Sequence, residues 1–190
     1  MKPKLPILLA SSFFVTLFAT LFPLVTLSAA QDTPRNQPSA KAEERIIKQV
    51  RHQLVMLPYV GAFDFLTYKV DGTTVTLLGQ VVKPVNKSDA EDAVKHIEGV
   101  EKVDNQIEIL PPSPLDDGIR NRLYRAIYGY PALQRYALGT QKPIRMIVKG
   151  GHVTLLGVVD SEGDKNIAGL RANSVANVFS VTNDLQVVKP

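Results

Sequence analysis

The chain has 190 residues, no cysteine, three histidines and a formal net charge of +4 at pH 7. The absence of cysteine excludes a disulfide framework, a thiolate nucleophile and any cysteine-based metal site. His52, His96 and His152 stand alone, without the H-x-x-x-H or H-E-x-x-H spacing of a metal centre.

The first thirty residues read as a targeting segment. Lys2 and Lys4 make a basic start, residues 5–27 are almost wholly apolar, and Ser28-Ala29-Ala30 puts small residues at −3 and −1 of a cleavage after Ala30. The apolar run is also long enough to span a bilayer, so an uncleaved anchor is the alternative. Pro23 and the small-residue exit favour cleavage. No cysteine follows the run, which rules out lipoprotein processing. The expected location is periplasmic or otherwise exported. Residues 31–41 are polar, contain prolines and lack apolar periodicity, and are expected to form a disordered leader.

From residue 42 onward the chain says everything twice. VTLLGQVV at 75–82 returns as VTLLGVVD at 153–160, and the register runs on without a gap. Gly72 meets Gly150, Gly79 meets Gly157, Ala90 meets Ala168, Ile97 meets Val175, Val103 meets Val181 and Asn105 meets Asn183. Going backwards the offset falls from 78 to 73, where Ile46, Val50, Leu54 and Pro58 meet Ile119, Leu123, Ile127 and Pro131. About five residues are therefore inserted around 132–142 of the second copy. These are two copies of one unit, expected at 42–110 and 115–189, joined by the stiff PPSP linker at 111–114.

Each copy predicts the same elements. An amphipathic helix carries Ile46, Val50 and Leu54, or Ile119, Leu123 and Ile127, on one face and stops near Pro58 or Pro131. A hairpin follows, 66–70 with 74–82 and 144–149 with 152–159, turning at Asp71-Gly72 and Gly150-Gly151. A second helix starts at Ser88-Asp89 or Ser161-Glu162 and turns Ala90, Val94 and Ile97, or Ile167, Leu170 and Val175, inward. The last strand is 102–109 or 179–187. Gly72, Gly79, Gly99, Gly150 and Gly157 are candidate structural turn residues, and Asn177 stands where the first copy has Gly99. The expected fold is α+β: two tandem α-β-β-α-β domains, each a three-stranded sheet with both helices on one face.

The G-x-x-V-T-L-x-G-x-V core (Gly72 to Val81 and Gly150 to Val158), with the later Ile97-Glu98-Gly99-Val100-Glu101-Lys102-Val103-Asp104-Asn105, resembles the BON family of bacterial envelope proteins. The tandem arrangement is similar to exported members linked to osmotic stress and to the outer membrane. The resemblance implies binding rather than catalysis: phospholipid surfaces, envelope integrity, or chaperone-like help to secreted proteins.

Charge divides unevenly. Residues 41–110 carry nine basic and eleven acidic side chains, whereas 115–190 carry ten basic and six acidic, and no acid occurs at 118–159. On a helical wheel, Tyr124 and Tyr128 form a stripe away from Ile119, Leu123 and Ile127, flanked by Arg120 and Arg125, with Arg135 downstream. Phenol rings suit a membrane interface and guanidinium groups are drawn to lipid phosphates. The candidate lipid- or partner-binding residues are thus Arg120, Tyr124, Arg125, Tyr128 and Arg135. A second reading packs the two tyrosines against the first domain and pairs the arginines with its acidic surface. The expected export argues against nucleic acid as a partner. No nucleophile elbow, phosphate-cradling glycine run or metal-ligand set is present, so no enzyme, cofactor or metal is expected. Expected partners are anionic phospholipid, through the first helix of domain 2, or an envelope protein client, with the two domains packed together.

Overall fold

In the first repeat α1 (Ala40–Val55) buries Ile46, Val50 and Leu54, spaced i, i+4, i+8 so that one stripe faces inward. The computed structural model describes residues 40–139 and 141–188, so the expected signal segment at 1–30 and all but the end of the expected leader lie outside the described residues. Ala40 and Lys41, assigned to that leader, are already helical.

After α1 the strands β1 (Phe65–Asp71) and β2 (Thr74–Val81) pair antiparallel, closing at Asp71↔Thr74 with Gly72 at φ 61°. Helix α2 (Pro84–Lys95) then leads to β3 (Lys102–Asn105) and β4 (Glu108–Ile109). Both run parallel to β2 in one register, Leu77↔Asn105 and Gln80↔Glu108. Between them the Gln106 N–H donates to the Leu77 carbonyl at 2.9 Å. The expected third strand is therefore one line in two pieces, and β2 is the centre of the sheet.

Helix α2 begins at Pro84 rather than at Ser88-Asp89. Proline lacks only an N–H that the first turn would leave unpaired anyway, and its fixed φ suits that position. Inward go Ala90, Val94 and, just beyond the helix, Ile97, closing a core with α1 and β2. Each fully buried valine or isoleucine side chain stabilises the fold by about 1.5–3 kcal/mol.

The second repeat follows suit with α3 (Pro114–Tyr128), β5 (Ile144–Lys149), β6 (His152–Val159), α4 (Glu162–Asn173), β7 (Ser180–Asn183) and β8 (Gln186–Val187). Its parallel register, Leu155↔Asn183 and Val158↔Gln186, repeats that of the first sheet. Ser113 and Ser161 cap α3 and α4, accepting from the N–H groups of Asp116 and Asp164 at 3.2 and 3.1 Å. The inserted residues form a 3-10 helix, Pro131–Ala137, that buries Leu133 and Tyr136. One expectation fails in α4: Leu170 points out, 70% exposed, while Ala168, Gly169 and Ala172 make the buried face. Small residues there allow α4 to lie close to the sheet; a Cβ on Gly169 would already stand 2.8 Å from the Asn183 side chain.

Two repeated letters of the doubled motif have one cause. Gly79 and Gly157 sit at φ 122° and 115°, and a Cβ there would fall 2.0 Å from the Phe65 carbonyl oxygen and 1.9 Å from that of Pro143. Gly99 at φ 93° and Asn177 at φ 69° occupy matching turns, and Gly150 lies at φ 59°.

Candidate binding surface

Helix α3 positions most of the candidate residues, and it turns several of them inward. Tyr128 is buried; its hydroxyl donates to the Ile144 carbonyl at 2.5 Å and accepts from the Ile144 N–H. Burial pushes its phenol far above the usual pKa. Tyr124 is half-buried, tilted on Tyr128 with centroids 4.9 Å apart and met edge-on by Phe63 of the first domain at 6.2 Å. Arg120 is 3% exposed, with its guanidinium donating to the Val148 carbonyl at 2.7 Å and to Asp117 at 2.6 Å. The outward stripe drawn on the wheel is thus corrected for Tyr128 and Arg120 and only half holds for Tyr124. A wheel knows one helix; here β5 and a loop of the other repeat supply partners for the phenol, the guanidinium and the rings.

That loop is held by Asp64, which is buried and accepts from the N–H groups of Gly61 and Val82 at 2.8 and 2.7 Å. So placed, residues 61–63 lie along β5. The Met146 N–H donates to the Ala62 carbonyl at 2.7 Å, and the Arg145 guanidinium donates to the Gly61 carbonyl. Ala62 is 6% exposed and belongs to the hydrophobic core of the second domain, with Phe63 packed against it. Gln141 donates to the Val55 carbonyl at 2.8 Å, and Lys149 pairs with Glu108 at 2.6 Å. The second sequence reading, tyrosines against the first domain, holds for Tyr124, which meets Phe63; across the joint Arg145 meets the Gly61 carbonyl, whereas the acids that Arg120 and Arg135 pair with, Asp117, Asp160 and Asp164, belong to the second domain.

Arg135 is also engaged. It lies on the Tyr136 ring and pairs with Asp160 at 3.1 Å and with Asp164. Asp164 further accepts from Tyr136 at 2.9 Å and Ser161 at 2.7 Å. Burial alone would raise the Asp164 carboxyl; the Ser161 and Tyr136 hydrogen bonds and the Arg135 charge outweigh it and hold the group below its ordinary value. This cluster ties the 3-10 helix to the start of α4.

Arg125 alone of the five candidates stays exposed without a side-chain partner among the described residues. It shares the helical layer with Arg122, which donates to the Ala176 carbonyl at 3.2 Å, and with Arg171, which lies over the Tyr130 ring at 5.0 Å and donates to the Ala126 carbonyl at 3.2 Å. Leu170 and Tyr130 expose apolar surface in the same layer. Sequence reasoning missed Arg171 and Leu170 by counting Leu170 with Ile167 and Val175, which do pack inward, although a second acid-free stretch at 165–183 pointed to them. Among the described residues no group of three or more His, Asp or Glu could hold a metal ion, and no helix is long and apolar enough to cross a membrane.

A duplicated α+β module, with a loop of the first copy built into the core of the second, defines a tandem-domain protein. The BON domain pattern matches residues 42–111 and again 116–189, and the chain belongs to the BON domain family. Proteins of this family are typically periplasmic or envelope-associated, bind phospholipid or envelope components and are generally non-catalytic. No curated protein matches the chain. Two solved structures of CdsD, a structural protein of the type III secretion system of Chlamydia trachomatis, are similar at 13% and 11% identity. Each covers 76% of this chain, and 98% and 92% of its own, at a TM-score of 0.28. So loose an overlay carries no functional weight.

Proposed function

We propose that the protein is an exported, non-catalytic binding protein of the cell envelope that associates peripherally with anionic phospholipid through the helical layer of its second domain. The observation that supports this reading is a cationic stretch of helical surface: beyond the acids in their first turns, α3 and α4 carry none, and they bring Arg122, Arg125 and Arg171 into one layer with Leu170 and Tyr130. Each cation near an anionic surface contributes on the order of 1 kcal/mol, so three give weak, salt-sensitive attachment. Insertion of Leu170 and the Tyr130 ring adds to it. Tyr128 and Arg120 serve this surface from behind, by fixing α3 on β5.

The test is vesicle flotation with the exported chain. The protein is expected to float with phosphatidylglycerol vesicles at low salt and to stay behind with neutral phosphatidylcholine. Arg125→Glu with Leu170→Glu, both at exposed positions, should weaken flotation by at least about tenfold. Undiminished flotation of that double variant, or equal binding to neutral vesicles, rejects the reading.

A further inference from the structure

Because the chain is a duplication, each surface of one domain has a counterpart on the other, and one such pair differs in what covers it. In the second domain the groove between α3 and the outer edge of β5 is filled by residues 61–63, as described above. Under that cover Ile144, Met146 and Val148 are 0% exposed. In the first domain the matching groove lies between α1 and the outer edge of β1. Ile47, Arg51 and Val55 stand where Arg120, Tyr124 and Tyr128 stand in the second, and Leu66, Tyr68 and Val70 where Ile144, Met146 and Val148 stand. This groove, about 570 Å³ in volume, is bridged at one point, where the Tyr68 hydroxyl donates to the Ile47 carbonyl at 3.1 Å, and is otherwise uncovered, with Leu66, Tyr68 and Val70 only half-buried and Val55 48% exposed. The pairing Tyr68↔Leu77 repeats Met146↔Leu155, so the Tyr68 N–H faces the open side of β1 as the Met146 N–H faces Ala62.

We infer that this groove binds an extended segment of another protein, which adds a short strand to the free edge of β1. The filled groove specifies the occupant: a carbonyl to accept from the Tyr68 N–H, a small apolar side chain to enter between α1 and β1, and an aromatic ring next in sequence. The ring meets Arg51, which holds the place of Tyr124 and makes no ion pair among the described residues. Among the described residues the chain does not supply this segment itself. Its own small-aromatic stretch at 62–63 is committed, with Ala62 6% exposed, and the corresponding stretch of the second domain is wound into the 3-10 helix with Leu133 and Tyr136 buried. A polypeptide partner of this kind is independent of the lipid surface on α3 and α4.

The test uses the full exported chain, isotope-labelled, titrated with the peptide Tyr-Val-Gly-Ala-Phe-Asp, the sequence of residues 59–64. Saturable amide shifts are expected at 66–70 and 47–55, with a dissociation constant on the order of 0.1–1 mM for so short a strand. Val55→Glu, its fold checked by unchanged signals from β5 and β6, should weaken binding at least about fivefold, and a peptide with arginine in place of its alanine should not bind. The inference is overturned by the absence of shifts at millimolar peptide, by shifts confined to 144–148, or by full affinity in Val55→Glu. Concentration-dependent self-association that shifts the same amides without peptide also overturns it, by making the occupant a second copy.

Discussion

A carbonyl oxygen 1.9 Å from where a Cβ on Gly157 would stand explains why the second doubled motif needs glycine, and φ 115° forbids most other residues on conformational grounds as well. Gly157→Ala is expected to cost about 2–4 kcal/mol in urea unfolding, because Pro143 lies on the backbone and cannot step aside as a side chain would. An unchanged midpoint would refute the strain. The repeated glycine was legible as a letter; its cause, a cross-strand approach, was not, since it depends on a neighbour across the sheet. The buried Asp164 carboxylate makes a different expectation. Its folded pKa lies below its unfolded one, so its stabilisation is fully present above the ordinary carboxyl pKa of about 3.9 and is lost as pH falls through the folded value. Asp164→Asn should therefore be less stable than wild type at neutral pH and should flatten the acid limb of the stability profile below about pH 4. Parallel acid limbs for the two proteins would show that Asp164 contributes nothing to it.

Among the elements, those set by local pattern were legible. Helix α1 follows from one aliphatic stripe, the hairpins from Asp-Gly and Gly-Gly, and the start of α4 from Ser161. Where the pattern was ambiguous, local reasoning misplaced the element. Ser88-Asp89 looks like a helix start, yet Pro84 four residues earlier already has the geometry for one, and the Ser88 hydroxyl donates to the Val85 carbonyl inside the helix. Leu170 looks like core, yet Ala168, Gly169 and Ala172 make the buried face of α4 and Leu170 lies two residues from Ala168 and Ala172, on the outer face. The stripe of Tyr124 and Tyr128 was legible as special but not as inward, because Tyr128 meets Ile144 on β5 and Tyr124 meets Phe63, some sixty residues earlier in the chain. The cationic layer on α3 and α4 is what those two reorientations leave exposed.

At the scale of the whole molecule the joint decides behaviour. Ala62 is core for the second domain although it belongs to the first, so the two repeats are expected to unfold together. Ala62→Arg forces a long cation into that core and should lower the stability of the second domain by about 2–4 kcal/mol while sparing the first, splitting one urea transition into two. One transition at the wild-type midpoint would show that the joint is not energetically coupled. The Lys149–Glu108 pair across the same joint is exposed and adds at most about 1 kcal/mol. A timetable also follows from the order in which ribosomes make protein. Residues 61–63 emerge roughly eighty residues ahead of β5, an interval of about 4–16 s at ordinary elongation rates. For that long the nascent first half carries a naked Ala-Phe knob with its intended slot not yet synthesised, and the later-born half assembles on a template already waiting for it.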